Sequence, residues 1–267
     1  MEKQLDVIID EFKQSKGKYE FFDVNFWLTA TALRTFYPIT NVEMLVSEMK
    51  KHAIEKAVVT NSECIEYDPF KGNKDLLECI KDYDKLYGGI VVAPELSFGE
   101  RVIADYMDQM IENKVVVVRM FPKRLNHTMS KWSVGEILKY MEHRRLPLML
   151  WHTEVNWDIV DGICNEYKEL PVIIEGNDQK LLYHNRSFIP LLLKHKNLYI
   201  ETHNFIFYNG FEYMVNDLKI DRFIFGSYFP FNDPNASMMT ITHGDIDEDV
   251  KFKIAGRNLQ TLIDNIR

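Results

Sequence analysis

Eight short apolar runs recur along the 267-residue chain, and an amphipathic segment follows each of them. The runs are rich in β-branched residues and nearly continuous in apolar character, which is typical of parallel strands covered on both faces. They lie at residues 19–24, 56–61, 88–94, 115–121, 147–153, 171–176, 198–203 and 222–227. Strands that alternate with helices imply a parallel sheet, and eight such units predict a closed (β/α)8 TIM barrel of the α/β class.

The segments between the runs carry helix start signals. Thr40 or Asn41 precedes one helical pattern, Asn73 begins a second and Ser133 begins a third. An open doubly wound sheet is the rival fold, but that fold usually binds nucleotide through a glycine-rich first turn. Neither GxGxxG nor GxxxxGK[ST] occurs in the sequence. The barrel is therefore favoured.

The chain shows no internal boundary. No linker, low-complexity tract or block of like charge divides it, which predicts one barrel domain over residues 1–267. The first 23 residues mix both charge signs and contain no long apolar stretch. We interpret them as an amphipathic helix that leads into the first strand, rather than as a signal peptide or a membrane anchor.

Charge and cysteine content narrow the partners and the compartment. A formal net charge of −8 disfavours nucleic acid, because phosphate binding needs a basic face. The lysines and arginines are scattered, so no polybasic patch for a membrane surface is present. Cys64, Cys79 and Cys164 are far apart and lack CxxC spacing. This indicates reduced thiols in a cytoplasmic protein.

Polar side chains collect where the predicted strands end. In a parallel barrel these ends meet at one face, which carries the active site. The candidates are Asp23, Asn25, Trp27, Glu95, Arg119, His152, Glu154, Glu175, Asn177, Glu201, His203 and Tyr228. Several titratable groups on separate strands predict a site for a small molecule. Each residue taken alone is equally compatible with a structural hydrogen bond in the core or at a helix end.

Four segments, which occur in the same order along the chain as in the family, resemble the amidohydrolase-related TIM-barrel hydrolases of the amidohydrolase superfamily. "RFIFGSYFP", with the later helix that contains Asn258, resembles a C-terminal signature in which the last strand reads like GSDxP. "LPLMLWHT" resembles the fifth-strand segment that ends in a metal-binding His, and "LPVIIEG" the sixth-strand segment. "FFDVNFW" resembles the first-strand segment with Asp-x-His-x-His. The resemblance implies a hydrolase with a small-molecule substrate, and assembly into homo-oligomers is common in the family.

The resemblance also implies that the metal site has been largely replaced at the first strand. Asp23 stands where the family has its leading Asp, but Asn25 and Trp27 replace both histidines. An amide oxygen is a weak ligand for zinc, and an indole N–H is a donor only. The first strand therefore contributes no strong metal ligand.

The other strands keep part of the implied ligand set. His152 matches the fifth-strand ligand, and Glu175 replaces the sixth-strand His. Tyr228 replaces the last-strand Asp, which in the family binds metal and takes the proton from the attacking water. Zinc needs about three or four good ligands, and His152 with Glu175 leave two. We therefore expect no tightly bound metal and no other cofactor, with a divalent metal at His152 and Glu175 kept as an alternative.

The first functional hypothesis is a metal-independent hydrolase or lyase that acts on a small polar, carboxylated substrate. Glu175 is the expected general base, and His152 is a proton-transfer partner or oxyanion donor. Arg119 is expected to clamp a substrate carboxylate. Tyr228 and His203 are expected to donate hydrogen bonds to developing negative charge. The remaining substrate-binding candidates are Asn25, Trp27 and Asn177.

Two other hypotheses stay open. The first is that the barrel has lost catalysis and binds a small molecule or a protein partner, with the aromatic run at 204–211 as an interface. Alternatively, it is a hydrolase with a rearranged metal site, in which Glu201 or His203 joins His152 and Glu175. The segment at 125–132 is long enough to serve as a lid over the site.

Overall fold

A parallel eight-stranded sheet closes on itself in the computed structural model, which describes residues 2–28, 37–98, 102–177 and 179–267. The strands pair in chain order. Val24 N–H donates to the carbonyl of Phe225 at 3.0 Å, and Trp27 N–H donates to that of Phe229 at 2.9 Å, which joins the last strand to the first. The strands are β1 (Phe21–Leu28), β2 (Ile54–Asn61), β3 (Leu86–Val91), β4 (Val115–Arg119), β5 (Leu148–Trp151), β6 (Val172–Glu175), β7 (Leu198–Glu201) and β8 (Phe223–Ile224). The predicted TIM barrel is confirmed.

Helices alternate with the strands, and one precedes β1 as predicted. They are α1 (Glu2–Lys18), α2 (Val42–His52), α3 (Glu63–Glu66), α4 (Pro69–Ile80), α5 (Ile103–Glu112), α6 (Lys131–Arg144), α7 (Trp157–Glu166), α8 (Asn185–Lys194), α9 (Gly210–Glu212), α10 (Pro234–Thr242), α11 (Glu248–Phe252) and α12 (Asn258–Asp264). Two 3-10 turns lie at Pro94–Ser97 and Leu181–His184. Two π-helical turns lie at Tyr213–Asp217 and Lys253–Arg257. Within the described ranges, no helix is both long enough and apolar enough to cross a membrane.

The helix starts match the sequence only in part. Asn41 caps α2, and its side chain accepts from the N–H of Met44 at 2.9 Å. Asp68 rather than Asn73 caps α4, because a proline at the first helical position moves the start upstream. Asn73 is instead buried within α4, where its amide hydrogen-bonds to the backbone at the end of β3. Ser133 lies inside α6, which begins at Lys131.

Side chains fill the barrel in three layers, and a register shift between Asp23 and Phe26 interrupts the two-residue period on β1. The lower layer is apolar, and it comprises Phe22, Val24, Val58, Val117, Met149, Ile173 and Ile224. A polar layer follows, comprising Asp23, Asn25, Arg119, Glu175, Glu201 and His203. An aromatic cap lies at the carboxyl end, comprising Trp27, Phe121, Trp151, Tyr228 and Phe231. Charged groups are thus enclosed between two hydrophobic layers.

The π-helical turn at Lys253–Arg257 packs against the start of β1. A Cβ atom on Gly256 would lie 2.5 Å from the carbonyl oxygen of Glu20, a backbone atom that cannot rotate away. We expect Gly256→Ala to lower the free energy of unfolding by about 1–3 kcal/mol, as measured by urea denaturation. Gly162→Ala in α7 is the matched control, because nothing lies within 4 Å of its Cβ position. That change is expected to raise the same free energy by about 0.5–1 kcal/mol. Equal effects of the two changes would contradict the packing argument.

Candidate active site

The carboxylate of Glu175, at the end of β6, lies in the centre of the polar layer and is fully buried. Oε1 accepts from Nη1 of Arg119 at 3.1 Å, and Oε2 accepts from Nδ2 of Asn25 at 2.6 Å. Burial raises the pKa of this carboxyl to about 7. The charge of Arg119 opposes that rise, and the charge of Glu201 adds to it. Glu175 is therefore positioned to exchange a proton close to neutral pH.

The guanidinium of Arg119, at the end of β4, completes a closed ring of hydrogen bonds with Glu175 and Asn25. Nη2 donates to Oδ1 of Asn25 at 2.9 Å and to the carbonyl of Val24 at 3.4 Å. The indole N–H of Trp27 donates to the same Asn25 oxygen at 2.8 Å. The guanidinium carbon lies 5.0 Å from the centre of the Trp27 ring, which adds a cation–π contact. Arg119 is 1% exposed, so this charge is held wholly inside the barrel.

Glu201 and His203, at the end of β7, form a second buried pair. The carboxylate accepts from the backbone N–H of His203 at 2.8 Å and contacts Nδ1 of its ring. Burial favours the neutral imidazole and lowers the pKa of His203. The charge of Glu201 and the hydrogen bond to it act in the opposite direction, as do the charges of Glu175 and Asp23, and together they raise this pKa. A Cβ atom on Gly226 would lie 2.0 Å from Oε1 of Glu201. The glycine of "FGSYFP" therefore leaves the space that this carboxylate occupies.

Asp23 on β1 is the third buried carboxyl group of the polar layer. Oδ1 accepts from the backbone N–H of Asn25 at 2.8 Å and of Ser227 at 3.1 Å. Oδ2 has no hydrogen-bonding partner among the residues that the structure describes. Burial raises the pKa of Asp23 to about 7, and the hydrogen bonds from Ser227 and Asn25 oppose the rise. Asp23 thus links the first strand to the last while it retains a proton in weakly acidic solution.

The aromatic cap covers the polar layer at the carboxyl end of the barrel. The rings of Trp27 and Trp151 lie 6.1 Å apart, and that of Phe121 lies 4.8 Å from Trp151. These three residues are at most 1% exposed. Tyr228 stacks on Phe231 at 4.6 Å and has a φ of 57°, an unfavourable conformation for a bulky residue. In this conformation the cap separates the polar layer from solvent.

The segment at 125–132, predicted as a possible lid, and Tyr228 both contact neighbours at the carboxyl end of the barrel. Leu125, the first residue of the segment at 125–132, packs against the aromatic cap. The ring of Tyr228 lies 4.9 Å from that of His203. Tyr228 therefore contacts both the cap and the second buried pair, as expected for a side chain at the end of the last strand.

His152 and Asn177 follow the carboxyl ends of β5 and β6. Nδ1 of His152 lies 3.2 Å from the backbone carbonyl of Glu175, not from its carboxylate, and its ring centre is 5.0 Å from that of His184. Asn177 is 1% exposed, and neither atom of its side-chain amide has a hydrogen-bonding partner within the described ranges. Buried polar groups normally have partners. Asn177, one of the predicted substrate-binding residues, therefore has unused hydrogen-bonding capacity.

Sequence reasoning placed Glu201 at the face but gave it only a subsidiary role. The Glu-x-His spacing of Glu201 and His203 at a strand end was the available signal, because residues two apart on a strand share a face. The role of Gly226 follows only from the position of Glu201. The engagement of Arg119 by Glu175 and Asn25, rather than by solvent, also became visible only in three dimensions.

A metal fits poorly among these side chains as they are arranged. Ligand atoms of Glu175, Glu201 and His203 lie within 4.8 Å of one another, which is the spacing a cation site requires. Both oxygens of Glu175 already accept N–H groups, however, and one of these donors is the cationic fork of Arg119. His203 is in turn held by Glu201. A divalent ion at this point would have to displace a guanidinium or share a low-dielectric layer with it.

Comparison with known proteins identifies the fold. No family model matches the chain, and no curated protein matches it in sequence. A probable 2-pyrone-4,6-dicarboxylic acid hydrolase from Acinetobacter baumannii, with citric acid bound, is similar in structure at 14% identity and a TM-score of 0.67. The match covers 92% of this chain and 99% of the hydrolase.

Two further solved structures match over the same share of the chain. A dihydroxybenzoic acid decarboxylase from Polaromonas, with manganese and 2-nitroresorcinol bound, is 13% identical with a TM-score of 0.70 over 92% of this chain and 97% of its own. A 4-oxalomesaconate hydratase from Rhodopseudomonas palustris is 11% identical with a TM-score of 0.66 over 92% and 96%. The chain has the TIM-barrel fold of these three enzymes, and the predicted resemblance is confirmed at the level of the fold.

The raised pKa of Asp23 predicts a pH dependence of stability. The folded protein binds this proton more tightly than the unfolded chain, in which the ordinary pKa is 3.8. The contribution is therefore complete in acid and is lost as the pH rises through about 7. Between about pH 5 and 7, we expect the free energy of unfolding of the wild type to fall relative to Asp23→Asn by up to about 1.4 kcal/mol per pH unit.

Urea denaturation at several pH values measures this difference. Asp217→Asn, a change of an exposed carboxylate, is the control and should parallel the wild type. Parallel curves for wild type and Asp23→Asn would show that Asp23 does not hold its proton in the folded state.

Proposed function

We propose that this protein is a metal-independent hydrolase or lyase that acts on a small, polar, carboxylated substrate at the carboxyl end of the barrel. The observation that supports this most strongly is the juxtaposition of Glu175 and His203 on neighbouring strands. Both are buried, and both have a raised pKa, that of Glu175 being about 7. Paired groups that titrate near neutrality are the usual equipment of acid–base catalysis.

In this proposal Glu175 is the general base. His203, oriented by Glu201, is the complementary donor, and Tyr228 beside it donates a hydrogen bond to negative charge that develops on the substrate. His152 keeps its proposed role as proton-transfer partner or oxyanion donor. The ring of hydrogen bonds supplies the fixed geometry that such chemistry requires.

The substrate is proposed to bind between the polar layer and the aromatic cap. Asn177 has an amide available for a polar group, and Asn25 and Trp27 are the other predicted contacts at this end of the barrel. Arg119 can clamp a substrate carboxylate if that carboxylate takes over hydrogen bonds now made to Glu175. The carboxylated compounds in the names of the hydrolase, decarboxylase and hydratase with this fold support the same substrate class.

Entry of a substrate requires movement of the aromatic cap, because its tryptophans exclude solvent. A small ligand is favoured for this reason. We also propose that residues 1–267 form a single domain. The protein is proposed to work in the cytoplasm and to have no nucleic-acid or membrane partner. Assembly into a homo-oligomer belongs to the same set of proposals.

A second candidate function is a barrel that binds a ligand or a protein without catalysis. Its supporting observation is the aromatic cap itself, which fills the space where a substrate would bind. In the run at 204–211, Phe205 and Phe211 pack on Phe223, whereas Tyr208 is 89% exposed. Exposed aromatics of this kind are common in protein interfaces. A hydrolase with a rearranged metal site around His152 is the remaining alternative.

Replacement of the proposed base tests the catalytic hypothesis. On a panel of carboxylated lactones, esters and hydroxyaromatic acids, we expect Glu175→Gln to reduce turnover by about 10²–10⁴-fold, since a positioned general base contributes that much. Binding of the same substrate, followed by calorimetry, should change little, because the amide has nearly the same shape. Glu154→Gln is the control, because Glu154 is a buried carboxylate that accepts from the backbone of Lys123 and Arg124.

Each outcome of this experiment is informative. Unchanged turnover in Glu175→Gln would exclude Glu175 as the base. A wild-type protein that binds compounds of the panel but converts none of them would favour the non-catalytic barrel.

A further inference from the structure

We propose that the guanidinium of Arg119 is a built-in cation that takes the place of a metal ion at the centre of the barrel. This inference deepens the metal-independent function proposed above and supplies its physical basis. Arg119 thereby becomes a positioning residue that fixes the carboxylate of Glu175. The side chain of Arg119 links its own strand, β4, to β6 and β1, and these three strands are not neighbours in the sheet.

The reach of the side chain is the first observation. Arg119 extends from β4, and its two terminal nitrogens contact Glu175 on β6 and Asn25 on β1. A third hydrogen bond reaches the backbone of Val24. A central metal ion ties distant strand ends together through its ligands, and the planar fork of an arginine achieves the same result with N–H donors.

The identity of the contacted residues is the second observation. Asn25 and Glu175 occupy two of the positions at which the resemblance implies metal-binding histidines. Imidazole has a single acceptor nitrogen, whereas an amide and a carboxylate offer oxygens that accept N–H groups. Nδ2 of Asn25 then donates to the second Glu175 oxygen and closes the ring. Both replacements change a metal ligand into a partner for a guanidinium.

Trp27, at the third replaced position, fits the same explanation. Its ring lies 5.0 Å from the guanidinium carbon, and its N–H donates to Asn25. An aromatic face stabilises a buried cation but supplies no metal ligand. The replaced positions on the first and sixth strands are thus accounted for by a single internal cation.

Charge balance in the polar layer is the third observation. The guanidinium of Arg119 lies 3.1 Å from the carboxylate of Glu175, and the ring of His203 is held by the carboxylate of Glu201. Each of these two carboxylates therefore already has a basic partner within the protein. A divalent cation placed among them would lie close to the guanidinium, where water does not screen the repulsion.

Chemical rescue tests the inference without any substrate. Arg119→Ala removes the cation and leaves a cavity beside Glu175, so we expect a marked fall in the thermal unfolding midpoint. Millimolar methylguanidinium chloride should raise that midpoint by about 2 °C or more over equal sodium chloride, since a ligand that binds only the folded state stabilises it. The wild type should show no such rise. Arg119→Lys, which restores charge without the fork, should fall between the two.

A matched control and a metal titration complete the test. The guanidinium carbon of Arg124 lies 4.7 Å from the centre of the Trp151 ring, and the side chain is partly exposed, so methylguanidinium should not rescue Arg124→Ala. Calorimetric titration with Zn²⁺ or Mn²⁺ should show no stoichiometric metal binding that depends on Glu175. The wild type and Glu175→Gln should therefore give the same result. This arm needs no Arg119 variant to fold.

The results that overturn the inference are distinct from those that overturn the proposed function. Stoichiometric metal binding that depends on Glu175, or equal responses of Arg119→Ala and Arg124→Ala to methylguanidinium, would remove Arg119 from this role. If the wild type converts no compound of the panel but methylguanidinium still stabilises Arg119→Ala, the internal cation stands and the non-catalytic barrel is favoured.

Discussion

Neutralisation of one buried carboxylate is the constraint on which the rest of this structure depends. Glu175 has no exposed surface, and an unpaired charge in such a place is strongly destabilising. Arg119 offsets that cost, but only because Asn25 accepts from one nitrogen of the fork while it donates to the carboxylate. The lower apolar layer and the aromatic cap hold this arrangement away from water, which strengthens its electrostatics.

Closure of the barrel and organisation of the site use the same groups. Asp23 accepts from the backbone of Ser227, which ties β1 to the segment that follows β8. Gly226, one residue earlier, leaves room for Glu201. Tyr228, two residues further on, contacts both His203 and the cap. A short stretch of chain therefore completes the sheet, shapes one acid and supplies part of the cover.

Periodicity was enough to predict the architecture, because alternating apolar runs and helices with eight repeats leave few topologies. The strand-end residues were also predictable, since strand ends converge whatever their side chains do. Their partners were not: Arg119 and Asn25 are 94 residues apart in the chain, and Asn25 and Glu175 are 150 apart. Nothing local in the sequence encodes such a pairing. The contact that Asn73 makes was unpredictable for the same reason, because its partner is the backbone at the end of β3.

The ring formed by Arg119, Asn25 and Glu175 also constrains evolution. A change of Asn25 or Glu175 to histidine would remove acceptors from the guanidinium while that charge remained buried. A change at Arg119 alone would strand the carboxylate. We therefore expect each single change at these three positions to be destabilising, and the effects of combined changes to be strongly non-additive. Substitutions around the ring are therefore expected to be tolerated more readily than substitutions within it.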